Sequence, residues 1–332
     1  MNNLRIIFVN WTKPFFYRDQ FTGYRKSSDS GLSSNKYKIP DHEIVMQIAA
    51  ITSAKKYGRC PIKLFTDDCG YEYYKKINIL SLFDEVDVQV LNGVNNNPNI
   101  NPAQFWTSGK IISICNQEPP FIFMDLDLII KDYIPDWFSN YDLVHTHWEI
   151  CRGPLYINFS QLKEYGIEMD EFDEKMMIPN TSFLFVNDQK ILDKYLKLHL
   201  QLVDKKYDQV PDWLWLMSDQ NILGYTIREL NSKVSEITNK IFVQYPDGSH
   251  NEEKPGYIPD WIEIPGIVKN VPKISYEHVW ITKGALIKDH ESRNKRVFEW
   301  NEIISNNGFN EYVILGYSNI HRRAKSGGIH IG

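Results

Sequence analysis

This sequence lacks C-x-x-C pairs of cysteines, apolar runs long enough to span a membrane, and a glycine-rich loop after its first predicted strand. Its four cysteines form no C-x-x-C pair and show no spacing typical of a metal site. Cys60 and Cys69 could form a disulfide in an oxidising compartment, but free cytosolic thiols are the expectation. No segment approaches the roughly 20 apolar residues of a membrane span. No glycine-rich loop follows the first predicted strand, which excludes a P-loop enzyme and the usual dinucleotide-binding domain.

The chain also has little net charge. Its 332 residues carry a formal charge of −5 with both signs mixed, which argues against a general nucleic-acid binder. The N-terminal apolar run ends at Asn10 and is shorter than that of a signal peptide, so a cytoplasmic protein is expected, with peripheral membrane association left open. Aromatic residues make up 14% of the chain, and carbohydrate-handling clefts use such rings. The length suits one domain, with or without elaborations.

Residues 121–130 are the most informative stretch. Four apolar residues lead into Asp125 and Asp127, which are one residue apart, and three more apolar residues follow. Such a run predicts a strand buried on both faces of a parallel sheet, with both carboxylates on the same side. Two buried carboxylates need a compensating cation. We therefore expect the strand to end there, with both facing a divalent metal at the carboxyl edge of the sheet; the alternative is a solvated loop.

The elements before this stretch are predicted to alternate between strands and helices. The predicted strands are 4–9, 62–65 and 86–91, and the predicted helices are 41–58, 71–80 and 103–115. This β-α-β-α-β-α-β order predicts a mostly parallel α/β sheet with helices on both faces. Residues 92–101 are predicted to be a loop. Residues 13–38 are too long for a simple turn and are expected to be a functional flap or partly mobile.

The second half of the chain has a looser pattern. The predicted strands are 141–145 and 182–186, and the predicted helices are 187–204, 219–230 and 289–306. Residues 276–284 are expected to form a late strand or a turn. Residues 151–178 and 245–273 are irregular, and no chemistry can be assigned to them from the pattern.

With its Asp-x-Asp motif on the fourth strand of such a series, the chain resembles the GT-A glycosyltransferases. Four further positions resemble their retaining branch, which is glycogenin-like and lipopolysaccharide galactosyltransferase-like, over about residues 4–285. The resemblance implies a Rossmann-like fold in which Mn²⁺ or Mg²⁺ on Asp125 and Asp127 holds the diphosphate of a nucleotide sugar, with UDP expected. It also implies a GT-A domain, 1–287, with a nucleotide-binding half, 1–130, and an acceptor and sugar half, 131–287. The residue pattern beyond this domain predicts a helical extension, 288–320, and a flexible tail, 321–332.

Two of these positions concern the donor. Lys110 lies on the predicted helix before the metal strand, where the family has a basic residue, usually arginine, that reaches the donor's phosphate or sugar. Asn180 and Thr181 begin a segment that resembles the family's Asn-x-Gly motif, with Ser182 in place of glycine. The resemblance implies that Asn180 binds sugar hydroxyls. A solvated lysine and a β-turn asparagine are the structural alternatives.

Two later positions concern catalysis and the metal. Asp219 and Gln220 match the start of the family's Asp-Gln-Asp helix, beneath the anomeric carbon or against the acceptor, where a carboxylate could stabilise positive charge on the sugar; Asn221 replaces the second acid. Helix capping is the alternative. His278 and Lys283 resemble the late His-x-x-Gly-x-Lys segment, although its glycine is displaced here. They imply a third metal ligand and a cation for the leaving diphosphate.

The residues after the first two predicted strands form a last group. Asn10 and Trp11 follow the first strand, and Asp67 follows the second. The families that the chain resembles bind uracil and ribose at these places, so the resemblance implies contacts with the nucleoside. Ordinary turn chemistry is the alternative.

The predicted function is therefore sugar transfer from a nucleotide-diphosphate donor to a glycan, lipid-linked or other hydroxyl acceptor, with retention by resemblance. Inversion would need a general base, for which Asp219 or Glu149 is available. His145 and His147 near Glu149 could mimic a metal cluster, and a strand end near the acceptor side explains them equally well. One alternative is a nucleotide- or glycan-binding protein of the same fold with weak turnover, which Asn221 favours. The other is a metal-dependent nucleotidyltransferase, which would normally carry a glycine- and arginine-rich loop.

Overall fold

The computed structural model describes residues 4–17, 36–151, 178–204, 218–238, 241–244, 250–253, 273–279 and 283–313. The predicted tail, 321–332, lies outside these residues, as do most of the segments 13–38, 151–178 and 245–273. Within the described ranges, no helix has the length and apolar character that crossing a bilayer requires.

A seven-stranded sheet forms the centre of the molecule. The strands of the described residues are β1 (Ile6–Asn10), β2 (Ile62–Thr66), β3 (Glu85–Asp87), β4 (Phe121–Met124), β5 (Leu128–Ile130), β6 (Leu143–His145), β7 (Trp148–Cys151), β8 (Ile178–Pro179), β9 (Phe183–Val186), β10 (Val234–Glu236), β11 (Ile241–Gln244), β12 (His250–Glu253) and β13 (Tyr276–His278). The central sheet has the order β10-β6-β9-β4-β1-β2-β3. β9 is antiparallel to both neighbours and the other pairings are parallel. The predicted mostly parallel α/β sheet is therefore confirmed.

Helices flank this sheet, and two smaller sheets lie beside it. The helices of the described residues are α1 (Lys13–Phe16), α2 (Asp41–Gly58), α3 (Asp68–Lys76), α4 (Gln89–Asn96), α5 (Ser108–Cys115), α6 (Gln189–Val203), α7 (Ser218–Glu229), α8 (Lys283–Lys288) and α9 (His290–Asn306). Short 3₁₀ turns lie at Leu80–Leu82, Asp136–Asn140 and Asn310–Tyr312. The smaller sheets have the orders β12-β11-β7-β8 and β13-β5.

Alternating side chains of the buried strands supply two apolar cores, one on each face of the central sheet. In β1, Ile6 and Phe8 belong to one core and Ile7 belongs to the other, and β4 divides in the same way. α2 and α9 cover the first core, where Trp300 is fully buried. α5, α6 and α7 cover the second. Burial on both faces explains why residues 121–124 form an uninterrupted apolar run.

The strand predicted at 86–91 is wrong in extent. It ends at Asp87, whose Oδ1 accepts hydrogen bonds from the amides of Gln89 and Val90 at 3.0 and 3.2 Å. A carboxylate that binds two following amides turns the chain into a helix. α4 therefore occupies the rest of the predicted strand and continues to Asn96, through residues that the sequence assigned to a loop.

Two predicted helices also differ in their bounds. The helix predicted at 71–80 is α3, which begins earlier because the Asp67 carboxylate accepts a hydrogen bond from the amide of Gly70 and caps it. The helix predicted at 103–115 is shorter, since α5 begins only at Ser108 and the preceding residues form turns. Both corrections move a helix start, and the order of elements is unchanged.

Candidate functional site

The Asp-x-Asp stretch is a turn between two strands. β4 stops at Met124, the amide of Leu128 donates to the carbonyl oxygen of Asp125 at 3.1 Å, and β5 then begins. The amide of Asp125 donates to the carbonyl oxygen of Ser182 at 2.8 Å. The strand therefore ends at the two aspartates, as the sequence predicted, and the apolar residues that follow form the separate strand β5. The turn lies at the carboxyl edge of β4, where open α/β sheets bind ligands.

β13 brings a histidine to this turn. It runs antiparallel to β5, with His278 opposite Leu128, and the amide of Val279 donates to the carbonyl oxygen of Asp127. His278 Nε2 lies 3.6 Å from Asp127 Oδ1. Ligand atoms of Asp125, Asp127 and His278 all lie within 4.8 Å of one another. The structure thus brings the three predicted metal ligands together, and two carboxylates with one imidazole could hold a divalent metal.

The electrostatics of Asp125 show why a cation suits this place. Burial raises the pKa of Asp125 above its ordinary value; Lys110 opposes the shift and the Asp127 carboxylate adds to it. The net direction is upward, so ionisation of this carboxyl is disfavoured in the protein alone. A divalent ion bound by both aspartates would reverse that balance, because it favours the charged form of each.

Lys110 connects the metal group to α7. Its Nζ lies 3.3 Å from both carboxylate oxygens of Asp125, donates to Thr181 Oγ1 at 3.0 Å and lies 3.9 Å from Asp219 Oδ2. It also lies 4.8 Å from the centroid of the Phe123 ring. A single ammonium group therefore holds two carboxylates in one cluster. The structure places the predicted donor-binding lysine beside the candidate metal group.

The segment between β8 and β9 serves two hydrogen-bond networks. Thr181 accepts from Lys110 and donates to Asp219 Oδ2 at 3.1 Å. Asn180 instead donates from Nδ2 to Glu149 Oε1 at 2.6 Å, and its Oδ1 accepts from the amide and hydroxyl of Ser182. An amide has two N–H donors and two acceptor positions, so one N–H of Asn180 is left for a ligand.

The first turn of α7 presents the predicted catalytic pair. Asp219 and Gln220 are buried, and their Oδ1 and Oε1 atoms have no hydrogen-bond partner among the described residues. Buried polar atoms are almost always satisfied, so these two acceptors indicate a place for a water molecule or a ligand. The other oxygen of Asp219 is bound to Thr181, which orients the carboxylate.

Asp67 lies inside the protein, where it performs a structural task. Its carboxylate accepts hydrogen bonds from the amide and hydroxyl of Thr12, from the amide of Gly70 and from Asn95 Nδ2. It is 1% exposed. It holds the residues that follow β1 against the start of α3, so its contribution to a nucleoside site would act through Thr12.

Asn10 and Trp11 lie at the end of β1. Asn10 Oδ1 accepts from the hydroxyl of Tyr37 at 2.9 Å, while its buried Nδ2 has no hydrogen-bond partner within the described residues. Trp11 donates from Nε1 to Asn95 Oδ1 at 2.7 Å. Its side chain packs on Gly109, next to Lys110, so close that a Cβ on that glycine would meet the indole at 2.7 Å. The first strand end and the metal group are therefore neighbours.

Two predicted features have other outcomes. Lys283 begins α8, but its side chain lies outside the described residues. Glu149, which the sequence offered only as a general base, is buried and binds both Asn180 and His147. No local pattern in the sequence identifies this role, because β6 ends at His145, β7 begins at Trp148, and only the pairing of β7 with β8 brings Glu149 to Asn180.

No family model and no curated protein matches the chain. Solved structures that match include the PaToxG glycosyltransferase, at 12% identity and a TM-score of 0.39, with 68% of this chain and 69% of that chain covered. The galactosyltransferase LgtC in complex with donor and acceptor sugar analogues matches at 11% identity and a TM-score of 0.32, with 71% and 73% covered. The inositol-1-phosphate CTP transferase from T. maritima matches at 11% identity and a TM-score of 0.33, with 76% and 89% covered. Glycosyltransferases are thus among the structures that this chain is similar to, as its sequence predicted. At these identities the similarity assigns no activity.

Proposed function

We propose that the chain is a metal-dependent glycosyltransferase that uses a nucleotide-diphosphate sugar, with UDP as the nucleotide. The observation that carries the proposal is the meeting of Asp125, Asp127 and His278 at one sheet edge with Lys110, whose ammonium contacts the first of them. A divalent-metal donor set next to a fixed ammonium suits a departing nucleoside diphosphate, whose negative charge is larger than one divalent ion neutralises.

The metal group and the lysine act on the leaving group. Asp125, Asp127 and His278 would hold Mn²⁺ or Mg²⁺, which when bound supplies Lewis-acid stabilisation of the departing diphosphate. Lys110 donates to Asp125 and Thr181 in the structure and is available to an anionic ligand at the same place. Lys283, at the start of α8, is proposed as a second cation for the diphosphate.

Four polar residues act on the sugar. Asn180 keeps one N–H, and Asp219 keeps one buried oxygen, for hydroxyls or for the positive charge that develops on the sugar ring. Thr181 orients Asp219, and Gln220 offers a further acceptor beside it. The proposed stereochemistry is retention, which needs no dedicated general base for the acceptor hydroxyl.

The nucleoside is proposed to bind at the end of β1. The unpartnered Nδ2 of Asn10 suits a carbonyl of the base, and Trp11 offers its ring beside it. In this proposal residues 1–130 hold the nucleotide, and residues 131–287 hold the sugar and the acceptor. The proposed acceptor is a hydroxyl group of a glycan or of a lipid-linked glycan.

Calorimetric titration of UDP with and without Mn²⁺ tests the proposal. UDP should bind at least about tenfold more tightly with Mn²⁺ than with EDTA, a difference of about 1.4 kcal/mol. Asp127→Asn should remove that difference, whereas Asp193→Asn, on the exposed face of α6, should keep it. UDP binding that is indifferent to the metal and to Asp127→Asn would contradict the proposal. If UDP binds with metal but no nucleotide sugar is hydrolysed, the protein binds nucleotides without turnover.

A further inference from the structure

A buried chain of hydrogen bonds runs from the strand of His278 to the segment of Asn180. The hydroxyl of Tyr276 lies 3.2 Å from His147 Nδ1, and His147 Nε2 lies 3.2 Å from Glu149 Oε1. Asn180 Nδ2 reaches the same carboxylate oxygen at 2.6 Å. Glu149 is 1% exposed and His147 is 8% exposed. Neither belongs to the proposed metal group, and the roles proposed so far leave both of them unexplained.

The chemistry of the partners fixes the direction of donation along this chain. A carboxylate oxygen only accepts, so His147 Nε2 carries the hydrogen that reaches Glu149. In the neutral imidazole Nδ1 is then an acceptor, and the hydroxyl of Tyr276 donates to it. Asn180 donates to the same carboxylate. Two donors therefore hold Oε1 of Glu149 in place, and the orientation of His147 is fixed by Tyr276.

The second oxygen of Glu149 is the unexplained atom. Oε2 is buried, and no described residue forms a hydrogen bond to it. A buried carboxylate oxygen without a donor is costly, so a ligand that supplies one is strongly favoured. The Asn180 amide, bound to the other oxygen, keeps one N–H. A donor and an acceptor on two groups in direct contact match a hydroxyl, which accepts one hydrogen bond and donates one.

The position of Glu149 and Asn180 indicates that this hydroxyl belongs to the sugar of the donor. Thr181, the residue after Asn180, binds Lys110 and Asp219, and Lys110 also binds Asp125 of the metal group. If the diphosphate binds there, Asn180 lies one residue before Thr181 on the same segment, and its hydrogen bond brings Glu149 of β7 to that place. The group covalently attached to the diphosphate of a nucleotide sugar is the sugar itself.

We propose that His147 is a positioning residue that directs Oε2 of Glu149 to a hydroxyl of the donor sugar. Tyr276 holds the ring of His147 in the tautomer that donates to Glu149. Tyr276 and His278 lie on the same strand, two residues apart, so β13 carries both a proposed metal ligand and the anchor of the sugar-binding carboxylate. This inference rests on the proposed function, because it needs a nucleotide sugar at the metal group.

Binding of UDP and of UDP-hexoses in the presence of Mn²⁺ separates this role from a structural one. The probes are UDP, UDP-glucose, UDP-galactose and UDP-N-acetylglucosamine. The wild type should bind at least one UDP-hexose more tightly than UDP. In His147→Asn the amide still reaches Tyr276 but not Glu149, and that UDP-hexose should bind about tenfold more weakly while UDP binding is unchanged. His147→Gln, whose amide reaches Glu149, should restore most of the affinity.

Two further variants test whether His147 acts through Glu149. Glu149→Gln should lose UDP-hexose affinity as His147→Asn does, and the double variant should be no weaker than Glu149→Gln alone, since both remove one interaction. Tyr276→Phe should lose less, in the same direction. This milder variant tests the chain even if His147→Asn does not fold. His290→Gln, at an exposed position of α9, is the control for both affinity and thermal stability.

Each contrary outcome has a distinct meaning. UDP and UDP-hexose affinities that fall together in His147→Asn, with a lowered melting temperature, would show a structural role and overturn the inference. A wild type that binds no UDP-hexose more tightly than UDP would overturn it as well. UDP binding without any effect of Mn²⁺ would contradict the proposed function instead, and that measurement does not involve the sugar.

Discussion

Replacing Lys110 with methionine separates two effects that oppose each other at the candidate metal group. Lys110 Nζ lies 3.3 Å from Asp125, so the ammonium and a divalent cation would share one carboxylate. Methionine keeps an unbranched apolar side chain beside Phe123 and removes the charge. We expect Lys110→Met to bind Mn²⁺ alone more tightly than the wild type, and to bind UDP with Mn²⁺ more weakly.

The size of both effects follows from the exposure of the pair. Two unit charges 4 Å apart interact by about 1 kcal/mol in water and about 4 kcal/mol at an effective dielectric constant of 20. The side chains of Lys110 and Asp125 are 16% and 31% exposed, so solvent screening favours the lower half of that range. A gain of about 1 to 2 kcal/mol tightens Mn²⁺ binding by roughly 5- to 30-fold. Loss of a charge-assisted hydrogen bond, about 1.5 to 3 kcal/mol, weakens UDP binding by roughly 10- to 150-fold.

Calorimetry with Mn²⁺ alone, followed by UDP at saturating Mn²⁺, measures both quantities on one sample. Lys55→Met is the matched control, because Lys55 pairs with Asp84 at 3.2 Å and lies on α2, away from the metal group. It should change neither affinity. Mn²⁺ binding that is weaker or unchanged in Lys110→Met would refute the competition for Asp125. Unchanged UDP binding would remove Lys110 from the diphosphate site.

Two stability predictions are independent of the ligand. Gly109→Ala should lower the free energy of unfolding, measured in urea, by about 1 to 3 kcal/mol, because the new Cβ meets Trp11 at 2.7 Å. Gly93→Ala in α4 is the control: the space around this glycine is open, so the free energy of unfolding should rise by up to about 1 kcal/mol. Equal effects of the two substitutions would contradict the packing of Trp11 on Gly109. Burial lowers the pKa of His199 from 6.5 to about 3, so the unfolded chain binds a proton between these values that the folded protein excludes. The free energy of unfolding therefore falls as the pH drops below 6.5, and His199 contributes about 2 kcal/mol to the decrease between pH 7 and pH 5. In His199→Gln, whose side chain can still bond to Ser108, this decrease should be smaller by about 2 kcal/mol. Urea titrations at the two pH values measure it.

The parts of the fold that the sequence predicted are those with a local signal. A strand buried on both faces is apolar at every position, and Phe121 to Met124 meet that condition. The turn at Asp125 was predictable because charged residues cannot continue such a strand. The helix over 41–58 was predicted from Pro40 before it and Gly58 at its end, and in the structure Arg59, in the left-handed region, follows its last residue.

The errors arose where a side chain changed the path of the backbone or where partners lie far apart in sequence. Asp87 redirects the chain into α4 by binding two amides, and the β-propensity of the next residues gave no sign of it. Glu149 and Asn180 are separated by 31 residues, and only the pairing of β7 with β8 brings them together. The order of residue types along the chain does not show such long-range contacts. The resemblance supplied Asn180 but not its partner.

Three unsatisfied atoms connect the fold to the proposed ligand. Asn10 Nδ2 lies at the end of β1, Asp219 Oδ1 on the first turn of α7, and Glu149 Oε2 on β7; all are buried, and none has a hydrogen-bond partner among the described residues. Lys110 contacts Asp219 and Asp125 of the metal group. It also follows Gly109, on which the side chain of Trp11 packs. Each unsatisfied atom destabilises the free protein, and a ligand that reaches all three removes these costs at once. A nucleotide sugar carries a base, a diphosphate and a sugar in one molecule, so a single ligand of this class offers groups to all three atoms. Ligand binding should therefore raise the melting temperature more for an intact nucleotide sugar than for UDP, at equal occupancy of the metal.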